Sequence, residues 1–405
     1  NPPSWNARSV SGLRVSMSNT AWKQYSVGEV ADIFDGPHAT PKKTESGPWF
    51  LSISSLKQGL LDISESAHLS EEDFVKWTRR VTPQPGDILF SYETRLGDAA
   101  LMPAGIRGCL GRRMGLLRPK SQVVDARFLL YSYLGPDFQE TIRQQSIHGA
   151  TVDRISINEL PSWPISLPPV DEQRVIAELL GALDDKIALN EHIAQCCSDL
   201  GSSLYSCRLG QDHSIVGLAD VAELIMGQSP PGSTYNEDGV GLPFYQGIRD
   251  FGARYPTPRV WCSAPTRFAR AGDVLVSVRA PVGTINVARG ECAIGRGVAV
   301  LRAYNCPHIL FQALRADPIV WGPYESEGTV FGAINKTQLA RLRISWPDAD
   351  YATELESELQ ILDARIQAAV RESEILAKLR DTLLPKLMSG EIRVRDAERL
   401  VEKAV

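Results

Sequence analysis

The chain repeats itself, and the repeat limits its fold more than any other feature. GDILFS occupies Gly86–Ser91, GDVLVS occupies Gly272–Ser277, and the surroundings of the two boxes match in order. VGEVADIFDG (Val27–Gly36) answers LADVAELIMG (Leu218–Gly227), each leading into a Gly/Pro loop, GPHATP (Gly36–Pro41) and GQSPPG (Gly227–Gly232). WFLSISSLKQGLLD (Trp49–Asp62) stands where FYQGIRDFG (Phe244–Gly252) stands in the second half. CLGRRMGLLR (Cys109–Arg118) parallels CAIGRGVAVLR (Cys292–Arg302). HGATVDRISINELPSWPISLP (His148–Pro168) aligns without a gap to EGTVFGAINKTQLARLRISWP (Glu327–Pro347). A tandem duplication of this extent calls for two similar modules, and 405 residues are too many for one ordinary core.

A long polar segment follows each module. In the first, Ile176, Leu180, Leu183, Ile187, Asn190, Ala194, Cys197, Gly201 and Leu204 recur at spacings of 4, 3, 4, 3 throughout, a heptad seam. The second keeps that register through Leu355, Leu359, Leu362, Ile366, Ala369, Ser373, Leu376, Arg380 and Leu383, and neither contains proline before Pro385. Two readings follow: amphipathic helices packed each on its own module, or helices paired with one another. Matched length and register favour pairing, and about 35 residues make a rod of about 50 Å. Antiparallel pairing would set the modules at opposite ends of that rod, related by a pseudo-twofold axis. Asn190 either fixes the register of the pair or marks where the helices splay. The expected fold class is α+β, two pseudo-repeated mixed α/β domains joined by two long antiparallel helices. The expected organisation is a disordered leader (1–19) in which Met17 is the natural start, a first module (20–168), a first spacer helix (169–210), a second module (211–348), a second spacer helix (349–393) and a C-terminal tail (394–405).

Composition removes several classes. No run of about 18 apolar residues exists to span a membrane, and no signal-peptide pattern opens the chain. Seven cysteines without a CxxC pair or zinc spacing read as reduced thiols in a cytoplasmic protein. A formal net charge of −5 argues against a binder that works by bulk electrostatics alone, while leaving room for one that reads shape and base edges. Two similar modules at fixed separation suit a bivalent target. On DNA, sites one helical turn apart, about 34 Å, present the same face.

MGQSPPGSTYNEDG (Met226–Gly239), SVRAPVGTIN (Ser277–Asn286), IGRGVAVLR (Ile294–Arg302), LPPVDEQRVIAELLGALDDKI (Leu167–Ile187) and LRDTLLPKLMSGEI (Leu379–Ile392) carry a resemblance. From about Trp22 to Val394 the chain resembles the specificity subunit of a type I restriction-modification system. The PPVDEQ opening of the first helix is the most specific motif. The second opening, PDADYATELE (Pro347–Glu356), departs from it. The resemblance implies two target-recognition domains, each reading half of a split, asymmetric double-stranded DNA site. It implies paired helices that set the spacer and bind two DNA methyltransferase (M) subunits acting on adenine N6. Restriction (R) subunits join where unmodified DNA is cut. It also implies no cofactor in this chain: S-adenosylmethionine belongs to the partner methyltransferase, and ATP and Mg to a nuclease partner.

The residues themselves point away from catalysis. NPPS (Asn1–Ser4) echoes the NPP-aromatic box of adenine methyltransferases, but Ser4 stands where an aromatic would stack on a flipped base. P-loop, HExxH and GxSxG patterns are absent, and the six histidines are dispersed.

Reading DNA needs donors at base edges and positive charge at phosphates, and between positions 211 and 350 Lys336 is the single lysine among many arginines. Candidates in the second module are Tyr245, Gln246, Arg249, Arg254, Arg279, Arg296, Asn335 and Lys336. First-module counterparts are Ser54, Ser55, Lys57, Glu93, Arg95, Arg112, Arg113, Arg154 and Ser156, with His38, Lys42 and Lys43 as a basic loop. Glu93 stands at the Arg279 position, where a carboxylate would accept from cytosine N4 and a guanidinium would favour guanine. The Gly-Asp of each box is expected to build a turn into a strand. For each arginine the plainer alternative is a solvated surface charge. From another class, the alternative for the whole chain is a coiled-coil scaffold whose globular ends bind proteins. A reader for a system that methylates without cutting is a third.

Overall fold

Two uninterrupted helices, Val170–Leu209 and Ala349–Met388, occupy the heptad stretches. The computed structural model describes residues 22–37, 39–147, 152–210, 213–324 and 332–404. The expected leader, including NPPS and Met17, lies outside the described residues, as do His38 and His148. By its internal contacts the chain divides into two units: the chain up to Ala188 together with Glu374–Val405, and Leu189–Ser373. The division falls inside both long helices, so each unit contains one module, part of its own helix and part of the other.

The first unit holds a four-stranded antiparallel sheet in the order Ala31–Asp35, Met114–Pro119, Ile88–Ser91, Ala99–Leu101. The second repeats it with Ala222–Met226, Val298–Ala303, Val274–Ser277 and Ile285–Val287. A further strand pair ties the beginning of each module to its end, Lys23–Ser26 with Pro164–Leu167 and His213–Gly217 with Arg343–Pro347. The box strands are apolar without interruption because both their faces are covered. Ile88 and Phe90 join a core with Phe128 and Tyr133, while Leu89 joins another with Leu51 and Met114. Val274 and Val276 likewise part from Leu275. This is the period of two in a strand buried on both faces.

The box serves as an architectural element. Gly86 and Gly272 adopt φ of 89° and 87°, a left-handed turn that glycine enters without a steric penalty. Asp87 accepts the Gln84 N–H and takes Arg118 in a two-pronged pair at 2.9 and 2.7 Å. Asp273 repeats both contacts, with the Arg270 N–H and with Arg302 at 3.0 and 2.8 Å. Ser277 Oγ donates to the Pro281 carbonyl and accepts the Thr284 N–H, closing the loop that follows. Ser91 Oγ donates to the Glu93 carbonyl.

Within each unit the two long helices run antiparallel, and they pack on the module as well as on each other, so the two sequence readings hold together. In the first unit Ile176, Leu180, Leu183 and Ile187 share one core with Leu376, Leu383 and the module's Phe128, and Asp184 pairs with Arg380 at 2.8 Å. In the second, Leu355, Leu359 and Ile366 join Ala194, Cys197 and Leu204, while Leu362 is only half-buried. Asn190 does not mark a splay: it is 1% exposed and donates to Glu372 at 2.8 Å. That pairing specifies register where an apolar side chain would not.

The helix openings also have a structural explanation. Gln173, from the DEQ motif, is buried, accepts the Asp125 N–H and donates to the Val123 and Pro168 carbonyls. It clamps the start of the first long helix to helix Ala126–Leu134 of its own module. The second copy reaches the same end differently: Glu356 accepts the N–H groups of His308 and Ile309 at the start of helix Pro307–Ala316. A carboxylate there complements the helix dipole.

Two expectations need correction. The second long helix ends at Met388, near Gly390 at φ 71°, and the segment expected to be a tail is the helix Val394–Ala404. Its Val394 and Ala397 are buried in the first unit's core, because VRDAERLVEKA carries its apolar residues at helical spacing.

Among the described residues no helix is long and apolar enough to cross a membrane. All seven cysteines are unpaired. Burial pushes the Cys109 and Cys292 thiols up to about 12, so at pH 8 their thiolate populations fall roughly 1000-fold below that of an ordinary thiol. Native alkylation read by mass spectrometry is expected to label exposed Cys196 and Cys207 first, leaving Cys109 and Cys292 unmodified until the chain unfolds. Labelling of all four at one rate would contradict these cores.

Candidate nucleic-acid interface

One edge of each module is assembled from loop segments laid side by side and joined by backbone hydrogen bonds. In the second unit the Gly295 N–H donates to the Tyr245 carbonyl at 2.8 Å, Val278 N–H to Gly297 at 3.0 Å, and Ile334 N–H to Val278 at 3.1 Å. Four strips thus lie in the order 245–249, 295–297, 278–280 and 332–336. The first unit repeats the pattern: Leu51 N–H to Cys109, Tyr92 N–H to Arg113, and Ile155 N–H to Tyr92, at 3.1, 3.1 and 2.8 Å. The glycines make this closeness possible. A Cβ on Gly297 would lie 2.1 Å from the Gln246 carbonyl, and one on Gly227 the same distance from that of Gly295.

In the second unit the strips bring together Gln246, Arg249, Arg296, Arg279 and Lys336, all exposed. The side chains of Arg249, Arg279 and Arg296 make no ion pair among the described residues, which leaves a run of cationic donors on a rigid backbone. Asn335 is exposed, but its side chain caps helix Lys336–Ala340 by accepting the Gln338 N–H at 3.0 Å.

Two second-module candidates face inward. Tyr245 is buried among Leu275, Ile294 and Val300, and desolvation holds its phenol above the ordinary range. A strand residue here points into the core, and its neighbour Gln246 takes the exposed side. Arg254 pairs with Asp363 and lies 4.2 Å from the centre of the Phe311 ring, inside its own unit. Its role is to tie the loop after Phe251 to the second long helix. Asn286 holds the same loop, accepting the Gly252 N–H and donating to the Gly252 carbonyl.

In the first unit Lys42, Lys43, Lys57, Arg112 and Arg154 are exposed. Ser54 and Ser55 are committed locally, to Ser52 at 2.8 Å and Ser66 at 2.7 Å. Arg95 pairs with Asp98 at 2.6 Å and reaches toward the Leu56 carbonyl. Ser156 lies on the strip after Arg154, where its carbonyl accepts the Glu159 and Leu160 N–H groups. The Glu93 carboxylate is partly exposed, and its Oε1 sits 3.2 Å from Arg113 Nε. Arg113 also donates to Thr94 Oγ1 at 3.1 Å, and both residues have positive φ, 70° and 74°. Side-chain-bearing residues rarely adopt that conformation, and where they do it often marks a functional site. The sequence carried no sign of Thr94, nor of the Asp–Arg pairs at the other end of the box strands, apart from the recurrence of Asp and Arg at matched positions.

The described residues contain no cluster of three or more His, Cys, Asp and Glu able to hold a metal. The surface offers donors, charge and rigidity, which suit it to recognition.

The family model for the type I restriction modification DNA specificity domain matches residues 19–195. The putative type I restriction enzyme MjaX specificity subunit of Methanocaldococcus jannaschii is 29% identical, over 92% of this chain and 95% of that protein. The MjaVIII specificity subunit of the same organism is 21% identical, over 96% and 97%. Among solved structures, the type I restriction-modification S subunit from M. genitalium aligns with a TM-score of 0.62 at 16% identity, covering 92% of this chain and 98% of that one, which speaks to the fold alone.

Proposed function

Because this chain belongs to the specificity subunits of type I restriction-modification systems, we propose that its two modules each read one half of a split, asymmetric double-stranded DNA site and so direct partner adenine-N6 methyltransferase subunits to it. The subunit supplies recognition and its partners supply the chemistry. One observation carries the reading. The same hydrogen-bonded scaffold occurs twice, with different side chains on corresponding strips. Shared backbone with divergent surface is what two readers of unlike half-sites need. In this reading the long helices dock two methyltransferase subunits, which carry S-adenosylmethionine. Restriction subunits with ATP and Mg join where cutting occurs.

The test is co-expression with the cognate methyltransferase in a methylation-free host, with adenine methylation mapped by single-molecule sequencing. The expected result is one motif of two unlike halves separated by a fixed spacer. An assembled complex that marks no such motif would sink the proposal and favour a scaffold whose modules bind proteins.

A further inference from the structure

Three backbone positions meet on the interface of each unit. In the first they hold Glu93, Arg113 and Arg154; in the second, Arg279, Gly297 and Ala333. Their equivalence is structural. Tyr92 N–H meets Arg113 as Val278 N–H meets Gly297, and Glu93 bridges Arg154 as Arg279 bridges Ala333. Both trios carry one net positive charge, but its placement is reversed: an acid between two arginines, or one arginine between two residues with little or no side chain.

We propose that this trio determines the specificity of each half-site, with Arg113 as the base-reading guanidinium of the first module and Glu93 as the residue that positions it. The proposal rests on the DNA-reading function above. Glu93 Oε1 lies 3.2 Å from Arg113 Nε, an ion-pair contact without hydrogen-bond geometry, and Nη1 donates to Thr94 Oγ1 at 3.1 Å, leaving Nη2 without a partner among the described residues. Arg113 is one-third exposed, at 33% of its side chain, so it is anchored yet accessible. An anchored guanidinium loses little freedom on meeting a planar pair of acceptors such as guanine O6 and N7. In the second module no side chain at 297 or 333 can hold Arg279, which reaches out from the neighbouring strip unbraced. The anchored guanidinium of the first trio thus stands on the Arg113 strip and the unbraced one of the second trio on the Arg279 strip, which offsets the base pair each reads. Glu93 thereby loses the role of a cytosine acceptor and acts through Arg113.

The assembled methyltransferase complex is the object to test. Arg113→Ala is expected to lower discrimination at one base pair of one half-site by roughly 10- to 100-fold, and Glu93→Gln by roughly 10-fold at that same base pair. The other half-site should keep its preference. Arg113→Lys retains the charge but should not restore discrimination, which a merely electrostatic role would allow. Arg113→Gly suits the left-handed backbone and guards against a folding failure. The exchange Glu93→Arg with Arg113→Gly and Arg154→Ala should change the methylated motif in one half only. An unchanged motif from Arg113→Ala and Arg113→Gly complexes that still methylate overturns the proposal. A wild-type complex that marks no motif overturns the function beneath it.

Discussion

Replacing Arg249, Arg279 and Arg296 together with alanine is expected to weaken DNA binding by the assembled complex at least 100-fold while leaving the chain folded. All three are exposed, lie on adjoining strips and lack ion pairs among the described residues. Exposed substitutions of this kind change stability by about 0.5 kcal/mol or less each. Where an arginine binds a base edge or a phosphate, its removal would cost roughly 1–3 kcal/mol of affinity. If each neutralises one phosphate, the slope of log K against log salt should also fall by about 0.9 per arginine. Titration at several salt concentrations separates the two contributions. A lower slope with an unchanged motif means phosphate binding, and a degenerate half-site means base reading. Unaltered affinity would return the three arginines to plain surface charge.

Removing Arg302 should have the largest effect on stability. Its partner Asp273 keeps only 6% of its side chain exposed, and their hydrogen bond holds the guanidinium above its ordinary pKa. Arg302→Ala leaves that carboxylate with the Arg270 N–H as its main remaining partner, and breaking such a buried pair costs about 3–5 kcal/mol. Arg143→Ala is the control, since its pair with Glu140 is 66% and 49% exposed and worth less than about 1 kcal/mol. Urea unfolding followed by tryptophan fluorescence should show a destabilised transition in the second unit, with its Trp261, Trp321 and Trp346, and little change in the first. Exchanging Asp273 and Arg302 together for apolar residues should recover part of the loss, because no unpaired charge remains. A loss under about 1 kcal/mol for Arg302→Ala would mean water reaches Asp273 freely.

The division of labour between box and surface explains what could be read in advance. GDILFS and GDVLVS were legible as a repeat because they carry the turn, the doubly buried strand and the buried ion pair on which each module is built. Periodicity exposed the long helices for a similar reason: one face must stay dry along their whole length. The final helix was not legible in the sequence because its eleven residues make only about three turns, too few for the spacing of its apolar residues to stand out.

The interface was harder to read. Tyr245 and Gln246 are neighbours in the sequence, yet one is buried and the other exposed. Arg254 and Arg249 are both arginines near one loop, yet only Arg254 has a helix carboxylate within reach. Glu93 and Arg113 belong to separate strips, and nothing along the chain announces their pairing. From the sequence alone came the duplication, the strand and helix periods and the stock of guanidinium groups, because these depend on order along the chain. The tertiary structure alone decided which guanidinium groups face outward and which carboxylates restrain them, because burial and ion pairing depend on neighbours that only folding brings together.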